Sequence, residues 1–290
     1  MRLGNCFKFF FFSFILSFNS CSFKRVALNS MAQLLDKGSK TFYEEPDPLL
    51  AEETIGSQLK FLEVLLKNDP DHLSLIVQAV QGFGAYAFLF VEEKSPERAI
   101  GFYDRGLKIG LRALENKCGE LLLSQTDQTH FKKSLQKLKK KDVPLLFWTS
   151  YSWAGFVNLS LGSSEALSHL PKIVSMMERV NELDPNYFYG GADLFFGVYY
   201  ASRPSLLGGN LEQSKFYFNR ALYASNHHFL MTSLLYAQTY AVAKQDRELY
   251  KNLLEEIIHF PLERFPEQIL SNTIAKERAE KLLENIDEHF

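Results

Sequence analysis

Cysteine is scarce in this sequence. The chain has three, Cys6, Cys21 and Cys118, in 290 residues. Their spacing matches neither a zinc-binding motif nor the paired pattern of a disulfide framework. A structural metal site and a disulfide-stapled fold are therefore not expected, and a chain of this length is long enough to be held together by an apolar core.

The sequence also lacks the short motifs of common enzyme classes. It contains no HExxH, no Walker A, no GxGxxG and no GxSxG segment. The carboxylates are scattered without a convincing acid–base pair. The pair His227-His228 follows a predicted helix end, where a surface or C-cap position is expected. We predict that the protein is not an enzyme and needs no cofactor or metal.

The chain has no large excess of charge of either sign. Its 32 basic and 34 acidic side chains give a formal net charge of -2, whereas nucleic-acid binding requires a basic surface. One segment, FKKSLQKLKKKDVP, is strongly basic. We interpret it as the solvated face of an ordinary helix, with contact to anionic lipid or an acidic partner as the alternative.

The first twenty residues have the pattern of a signal peptide. Arg2 and Lys8 precede the run FFFFSFILSF, which is shorter than the roughly 20 apolar residues of a membrane span. Because Cys21 follows an apolar run and a small residue, it resembles the lipid-bearing cysteine of a bacterial lipobox. We predict a lipoprotein signal peptide over 1–20, lipidation of Cys21 and a lipid-anchored tether over 21–46. The alternative is an ordinary secretory leader in which Cys21 is incidental.

No convincing β-strand follows Asp47, because apolar residues recur at intervals of three and four. Several segments share one pattern, in which an apolar or aromatic residue comes four after a first position and a small or apolar residue three later. The matches are Ala99, Tyr103 and Gly106; Ile173, Met177 and Val180; Ser214, Phe218 and Ala221; and, less cleanly, Leu249, Leu253 and Glu256. The interval from Asn226 to Pro261 is close to the tetratricopeptide period of about 34 residues.

This pattern predicts an all-α protein in which residues 47–290 form one domain of tetratricopeptide-like stacked helical hairpins with a superhelical arrangement. Small residues at fixed positions let two helices approach closely, and each hairpin leaves an apolar face for its neighbour to cover. A non-repeating helical bundle is the alternative.

Aromatic residues concentrate after Pro144, and they include both tryptophans of the chain. Aromatic side chains at this density can line a ligand cavity or a groove, although the core of the repeats is the alternative for most of them. The candidate ligand- or partner-binding residues are Trp148, Tyr151, Trp153, Tyr199, Tyr200 and Arg203. Arg203 could pair with a carboxylate, or it could tether its own turn by hydrogen bonds to the backbone.

The connection SRPSLLGGN is longer than two antiparallel helices require. Pro204 predicts the end of one helix, Gly208-Gly209 predict a sharp return with positive φ, and Asn210 predicts the N-cap of the next helix. The sequence gives a reason for the shape of this turn but only a hint of its purpose.

Three stretches carry a resemblance to a known family. They are DVPLLFWTSYSWAGFVNLSLG, LPKIVSMMERVNELDPNY and GVYYASRPSLLGGNLEQSKFYFNRAL. In this order they resemble the T component (TatT) of tripartite ATP-independent periplasmic (TRAP) transporters, a family of periplasmic tetratricopeptide-like lipoproteins. The resemblance covers about 83–261, and the matching residues include Trp148, Trp153, Arg203-Pro204 and Gly208-Gly209.

The resemblance implies a lipid-tethered helical protein in the periplasm that forms homo-oligomers. Its implied partner is the solute-binding protein, or P component, of a TRAP system, and its implied role is to hold or channel a small organic-acid or hydrophobic ligand. A general tetratricopeptide scaffold lipoprotein for cell-envelope assembly, without a small ligand, is the alternative function.

Overall fold

The structure is a computed structural model that describes residues 26–38, 40–119 and 127–290. The chain divides into two compact units, Met1–Lys40 and Thr41–Phe290. In the first unit residues 26–38 are helical, and the predicted signal peptide and Cys21 lie outside the described residues.

The second unit is built from helices, and none of its described residues belongs to a β-strand. The α-helices are α1 (Pro48–Asn68), α2 (Leu73–Tyr86), α3 (Pro96–Cys118), α4 (Gln128–Leu135), α5 (Val143–Leu159), α6 (Ser164–Ser168), α7 (Leu170–Leu183), α8 (Tyr187–Ala201), α9 (Leu211–Ala224), α10 (Leu230–Leu235), α11 (Val242–Lys244), α12 (Arg247–His259) and α13 (Ile269–Glu284). Two π-helical segments, π1 (Ala87–Val91) and π2 (Tyr236–Ala241), continue α2 and α10. The all-α prediction is confirmed.

The first helix begins where its cap residues predict. The Asp47 carboxylate accepts hydrogen bonds from the backbone N–H groups of Leu49 and Leu50, and Pro48 occupies the first helical position. Such a cap satisfies donors that have no partner inside the helix. The position of α1 is thus fixed by local chemistry.

Four helices share one buried register, counted from the N-cap. The N-caps are Ser95, His169, Asn210 and Asp246. The residues four, eight and eleven positions later are buried in all four helices. They are Ala99, Tyr103 and Gly106; Ile173, Met177 and Val180; Ser214, Phe218 and Ala221; and Tyr250, Leu254 and Ile257. This register is the structural form of the repeat in the sequence.

The sequence pattern for the last of these helices is wrong by one residue. It puts Leu249 and Glu256 in the register, but Glu256 is exposed and Tyr250 is fully buried. The reason lies at the N-cap, where the Asp246 carboxylate accepts a hydrogen bond from the N–H of Leu249 at 3.0 Å. The helix therefore starts one residue later than the apolar pattern alone indicates.

The helices pack largely in chain order. Contacts link α1 to α2, α2 to α3, α3 to α5, α5 to α7, α7 to α8 and α8 to α9. The last helix, α13, packs on α10 and α12 and also contacts α1. The first and last helices of the second unit are thus joined directly, so the series of helices closes on itself.

The segment Leu73–Val91, which comprises α2 and π1, is long and apolar enough to cross a membrane by length and composition alone. More than half of its most apolar window is buried inside the protein. A core helix of a soluble domain has the same properties, and α2 packs against α1, α3 and α5.

Gly197 permits a close approach between α8 and α9. A Cβ atom at Gly197 would lie 2.9 Å from the ring of Phe218, which is fully buried. We expect Gly197→Ala to lower the free energy of unfolding by about 1–3 kcal/mol, because the ring has no space into which to move. Urea unfolding measures the change.

A matched glycine provides the control for this prediction. Gly101 lies inside α3, and a Cβ atom there meets nothing within 4 Å. Gly101→Ala should raise the free energy of unfolding by about 0.5–1 kcal/mol, because alanine loses less backbone entropy on folding. A loss of stability at both positions would contradict the close-approach explanation.

Candidate ligand and partner site

The six residues predicted from the sequence do not form one site. Trp148 and Tyr151 lie together on α5, in the central cluster described below. Trp153 is buried on the same helix and packs against the ring of His169 at 5.2 Å. The other three, Tyr199, Tyr200 and Arg203, surround the turn between α8 and α9.

A continuous cluster of aromatic rings, here called the central cluster, joins five parts of the second unit. Successive ring centroids lie between 4.7 and 6.3 Å apart, within the range of favourable aromatic pairs. Its members are Phe88 of π1, Phe147, Trp148 and Tyr151 of α5, Tyr187, Phe188 and Tyr189 of α8, and Phe229 and Phe265.

The cluster has a buried base and a face that is partly accessible. Phe147 and Trp148 are each 2% exposed, whereas Tyr151, Phe188 and Tyr189 are half-buried. Large apolar side chains at the bottom and partly accessible rings on one side are the composition expected of a small-molecule site.

A left-handed turn at the start of α8 places Phe188 in this cluster. Phe188, Tyr189 and Gly190 have φ values of 46°, 59° and 73°. Left-handed geometry is unfavourable for residues with a Cβ atom, at a cost of order 1–3 kcal/mol each. This backbone conformation places the centre of the Phe188 ring 4.7 Å from that of Trp148 and 5.7 Å from that of Phe229. Sequence reasoning missed this turn.

Hydrogen bonds fix the polar ends of the cluster. Trp148 Nε1 donates to the hydroxyl of Tyr187 at 3.1 Å, and Gln268 Nε2 donates to the hydroxyl of Tyr189 at 3.2 Å. A further tyrosine, Tyr43, accepts from Gln81. The rings are therefore held in defined orientations.

Burial raises the pKa of these tyrosines above its ordinary value, which is itself well above neutral pH. It raises the pKa of Tyr187 to about 12, and it raises the pKa of Tyr43, Tyr151 and Tyr189 as well. A phenol that retains its proton remains able to donate a hydrogen bond. The cluster thus combines apolar rings with neutral hydroxyl groups.

A polar group lies beside the cluster, and sequence reasoning missed it. Tyr103 donates its hydroxyl proton to Glu92 at 2.6 Å, and burial raises the pKa of the Glu92 carboxyl. Arg278, on the last helix, donates to the backbone carbonyls of Phe88 and Leu89 at 2.8 and 3.2 Å. No short motif signals this arrangement, because Arg278 lies about 190 residues along the chain from the carbonyls to which it donates.

The Arg278 contacts hold the last helix against π1. The guanidinium lies 5.0 Å from the centre of the Phe88 ring, and Nε is 2.6 Å from Glu93 Oε1. A π-helical segment disturbs the regular hydrogen-bond ladder and is frequent at functional sites. Here the Phe88 and Leu89 carbonyls of π1 accept hydrogen bonds from Arg278 of α13.

A second group of rings, here called the turn cluster, lies at the end of α8. The Arg203 guanidinium stacks on the ring of Tyr199 at 3.6 Å and donates to the Tyr199 carbonyl at 3.4 Å. The rings of Tyr200 and Tyr217 are parallel at 5.8 Å, and Phe196 lies 5.1 Å from Tyr217. Arg203 thus makes the backbone contact that the tether interpretation predicts.

The basic segment has the amphipathic arrangement that its pattern predicts. Phe131, Leu135 and Leu138 are buried, while Lys132 pairs with Glu178 of α7 at 3.1 Å. Lys140 pairs with Asp184 at 3.3 Å. These lysines secure α4 and the residues after it to the end of α7.

The histidine pair lies just after the end of α9, as expected. His227 and His228 line a surface cavity of about 350 Å³ together with His259 and Glu256. Within the described ranges, no group of three or more His, Cys, Asp or Glu side chains is arranged to hold a metal ion. Cys118 is a buried free thiol.

Comparison with known proteins adds two findings to this geometry. The model of the family described as "TRAP transporter T-component" matches residues 44–290. An uncharacterized protein of Treponema pallidum (strain Nichols) is 25% identical over 312 residues, which cover 97% of this chain and 96% of that protein.

Proposed function

Because the chain belongs to the TRAP transporter T-component family, we propose that it is a periplasmic, lipid-anchored accessory protein of a TRAP transport system. The family is not a family of enzymes. In this proposal the protein docks a periplasmic solute-binding protein and holds a small organic-acid or hydrophobic ligand at the central cluster. It also forms homo-oligomers.

The left-handed turn at Phe188 and Tyr189 is the observation that supports ligand binding most directly. A core that needed only to be filled would not require two aromatic residues in a strained conformation. The strain is offset by ring contacts on a face that remains partly accessible. Strained backbone is typical of positions that orient a binding surface.

The chemistry of the cluster favours a ligand with an apolar body and an acceptor group. The rings of Phe88, Tyr151 and Phe188 provide apolar contact area. The tyrosine hydroxyls keep their protons, so they can donate hydrogen bonds to a carboxylate or carbonyl oxygen. Arg278 is already engaged with two carbonyls and Glu93, so we assign it to support rather than to ligand contact.

The central cluster is tested with the mature protein. Native mass spectrometry should detect a small copurified ligand, and titration with hexanoate, an acid with an apolar tail, should change tryptophan fluorescence. Tyr151→Phe should weaken hexanoate binding about 10-fold, because one hydrogen bond to a charged group contributes roughly 1.5 kcal/mol. Tyr223→Phe is the matched control, since Tyr223 is 81% exposed and outside the cluster.

The outcome also separates the two proposed functions. Absence of any ligand, together with copurification of envelope-assembly factors alone, would favour a tetratricopeptide scaffold for the cell envelope. Unchanged hexanoate affinity in Tyr151→Phe would place the ligand elsewhere.

The anchor proposal depends on residues 1–21, which lie outside the described ranges. Residues 1–20 are proposed as the signal peptide, Cys21 as the lipidated residue, 21–46 as the tether and 47–290 as the helical domain. Acyl chains add membrane affinity by burial of CH₂ groups, about 0.8 kcal/mol each. Labelling with palmitate should be lost in Cys21→Ala, and equal labelling of both proteins would contradict the anchor.

A further inference from the structure

The turn between α8 and α9 exposes two leucines, Leu206 and Leu207, here called the leucine tip. We propose that the leucine tip is the element of this protein that inserts into an apolar socket on the solute-binding protein. The inference rests on the proposed docking function and assigns it a surface.

The leucine tip is exposed to an unusual degree. Leu206 is 96% exposed and Leu207 is 71% exposed. Single exposed apolar residues are common on protein surfaces, but two adjacent leucines at this exposure leave a large apolar area in water. They occupy a short 3₁₀ turn, Ser205–Leu207, that projects between two helices. A partner that covers them would remove that area from water.

The exposed turn is held by hydrogen bonds within its own backbone. The N–H groups of Leu207 and Gly209 both donate to the Pro204 carbonyl, at 2.9 and 3.0 Å, and the N–H of Gly208 donates to Ser205 at 3.1 Å. Gly208 has a φ of 89°, which only glycine adopts readily. A surface that is ordered before binding loses less entropy on association.

The turn is also fastened to the helices at both ends. The N–H of Asn210 donates to the Tyr200 carbonyl at 2.9 Å, and the Asn210 side chain caps α9. Below the turn, Arg203 stacks on Tyr199. This connection is longer than a minimal helix hairpin requires. Its extra residues form a projection that is fastened at both ends and exposes Leu206 and Leu207.

The charges near the tip favour a protein partner over a lipid surface. A loop that binds anionic lipid combines apolar residues with free Lys or Arg side chains. Arg203 is stacked on Tyr199, and Arg220 is paired with Asp193 at 3.1 Å. At the start of α9, the exposed Lys215 is balanced by the exposed Glu212. The tip itself carries no charge, so an uncharged apolar socket is the complementary surface.

The test compares binding of the cognate solute-binding protein to the wild type and to the double variant Leu206→Ser/Leu207→Ser. We expect the double variant to bind at least about 10-fold more weakly, because the apolar area of two leucine side chains would no longer be removed from water on binding. Leu161→Ser is the matched control, because Leu161 is 58% exposed in a different turn. It should bind like the wild type, and all three proteins should unfold at the same urea concentration.

Four results would overturn the inference, and each is distinct. Equal binding by the double variant and the wild type would leave docking in place but remove the tip from it. No binding by the wild type would reject the docking function together with the tip. If the double variant kept partner binding but no longer floated with vesicles of phosphatidylglycerol and phosphatidylethanolamine (both proteins in the Cys21→Ala background), the tip would bind lipid. If it kept partner binding but lost self-association in sedimentation velocity, the tip would contact a second copy of the chain.

Discussion

Replacing Trp148 with alanine is expected to lower the free energy of unfolding by about 3–5 kcal/mol, the range for removing a large aromatic side chain from a core. Trp148 is 2% exposed and contacts Phe147, Tyr151 and Phe188. Loss of the indole would leave a cavity beneath Phe188, whose strained backbone depends on this contact. Urea unfolding followed by far-UV circular dichroism measures the change without relying on tryptophan fluorescence.

Trp148→Phe is the control for this prediction. It retains most of the ring but removes the Nε1 donor to the Tyr187 hydroxyl, so a loss of about 1–2 kcal/mol is expected. If alanine and phenylalanine were equally tolerated, Trp148 would not be a packing centre. If Trp148→Ala abolished hexanoate binding without loss of stability, the residue would contact ligand directly.

Much of the fold follows from local signals in the sequence. Asp47, Asn210 and Asp246 cap the helices they precede, because capping depends only on a side chain and the next few amides. The buried register then follows from helix geometry. The pattern places Leu249 in the register because Leu249 is apolar. The N-cap Asp246 sets the register one residue later, at Tyr250.

The site is less predictable than the fold. Aromatic spacing on one helix correctly suggests that Trp148 and Tyr151 lie together, since residues three apart share a face. Aromatic spacing does not distinguish the central cluster from the turn cluster, so it groups Tyr199 and Tyr200 with Trp148 and Tyr151, whose rings they do not contact. The left-handed turn at Phe188 has no local signal apart from the following glycines.

Long-range contacts account for the remainder of what the sequence does not reveal. Arg278 reaches carbonyls about 190 residues away in the chain, and its position depends on closure of the helix series by α13. The two carbonyls belong to π1, a helix irregularity for which the sequence has no marker. The positive charge of Arg278 suggests an ordinary surface residue, but Arg278 is buried on the same helix face as Ile274 and Ala275.

Replacing Arg278 with methionine should therefore be among the most destabilising single changes. We expect the free energy of unfolding to fall by about 3 kcal/mol, because hydrogen bonds to a charged group contribute roughly 1.5–3 kcal/mol each and the Phe88 and Leu89 carbonyls would lose their donor. The Glu93 side chain is 51% exposed, so water replaces much of that interaction. Most of the loss is assigned to the carbonyls, and urea unfolding measures it.

The matched control is Arg247→Met, because Arg247 and Asp287 form an ion pair whose side chains are 51% and 85% exposed. An exposed pair of this kind contributes at most about 1 kcal/mol. Arg278→Lys should fall between the two variants, since a single ammonium cannot serve both carbonyls and Glu93 in the geometry of a guanidinium. Similar stability losses for Arg278→Met and Arg247→Met would show that the contact between α13 and π1 does not hold the ends of the domain together.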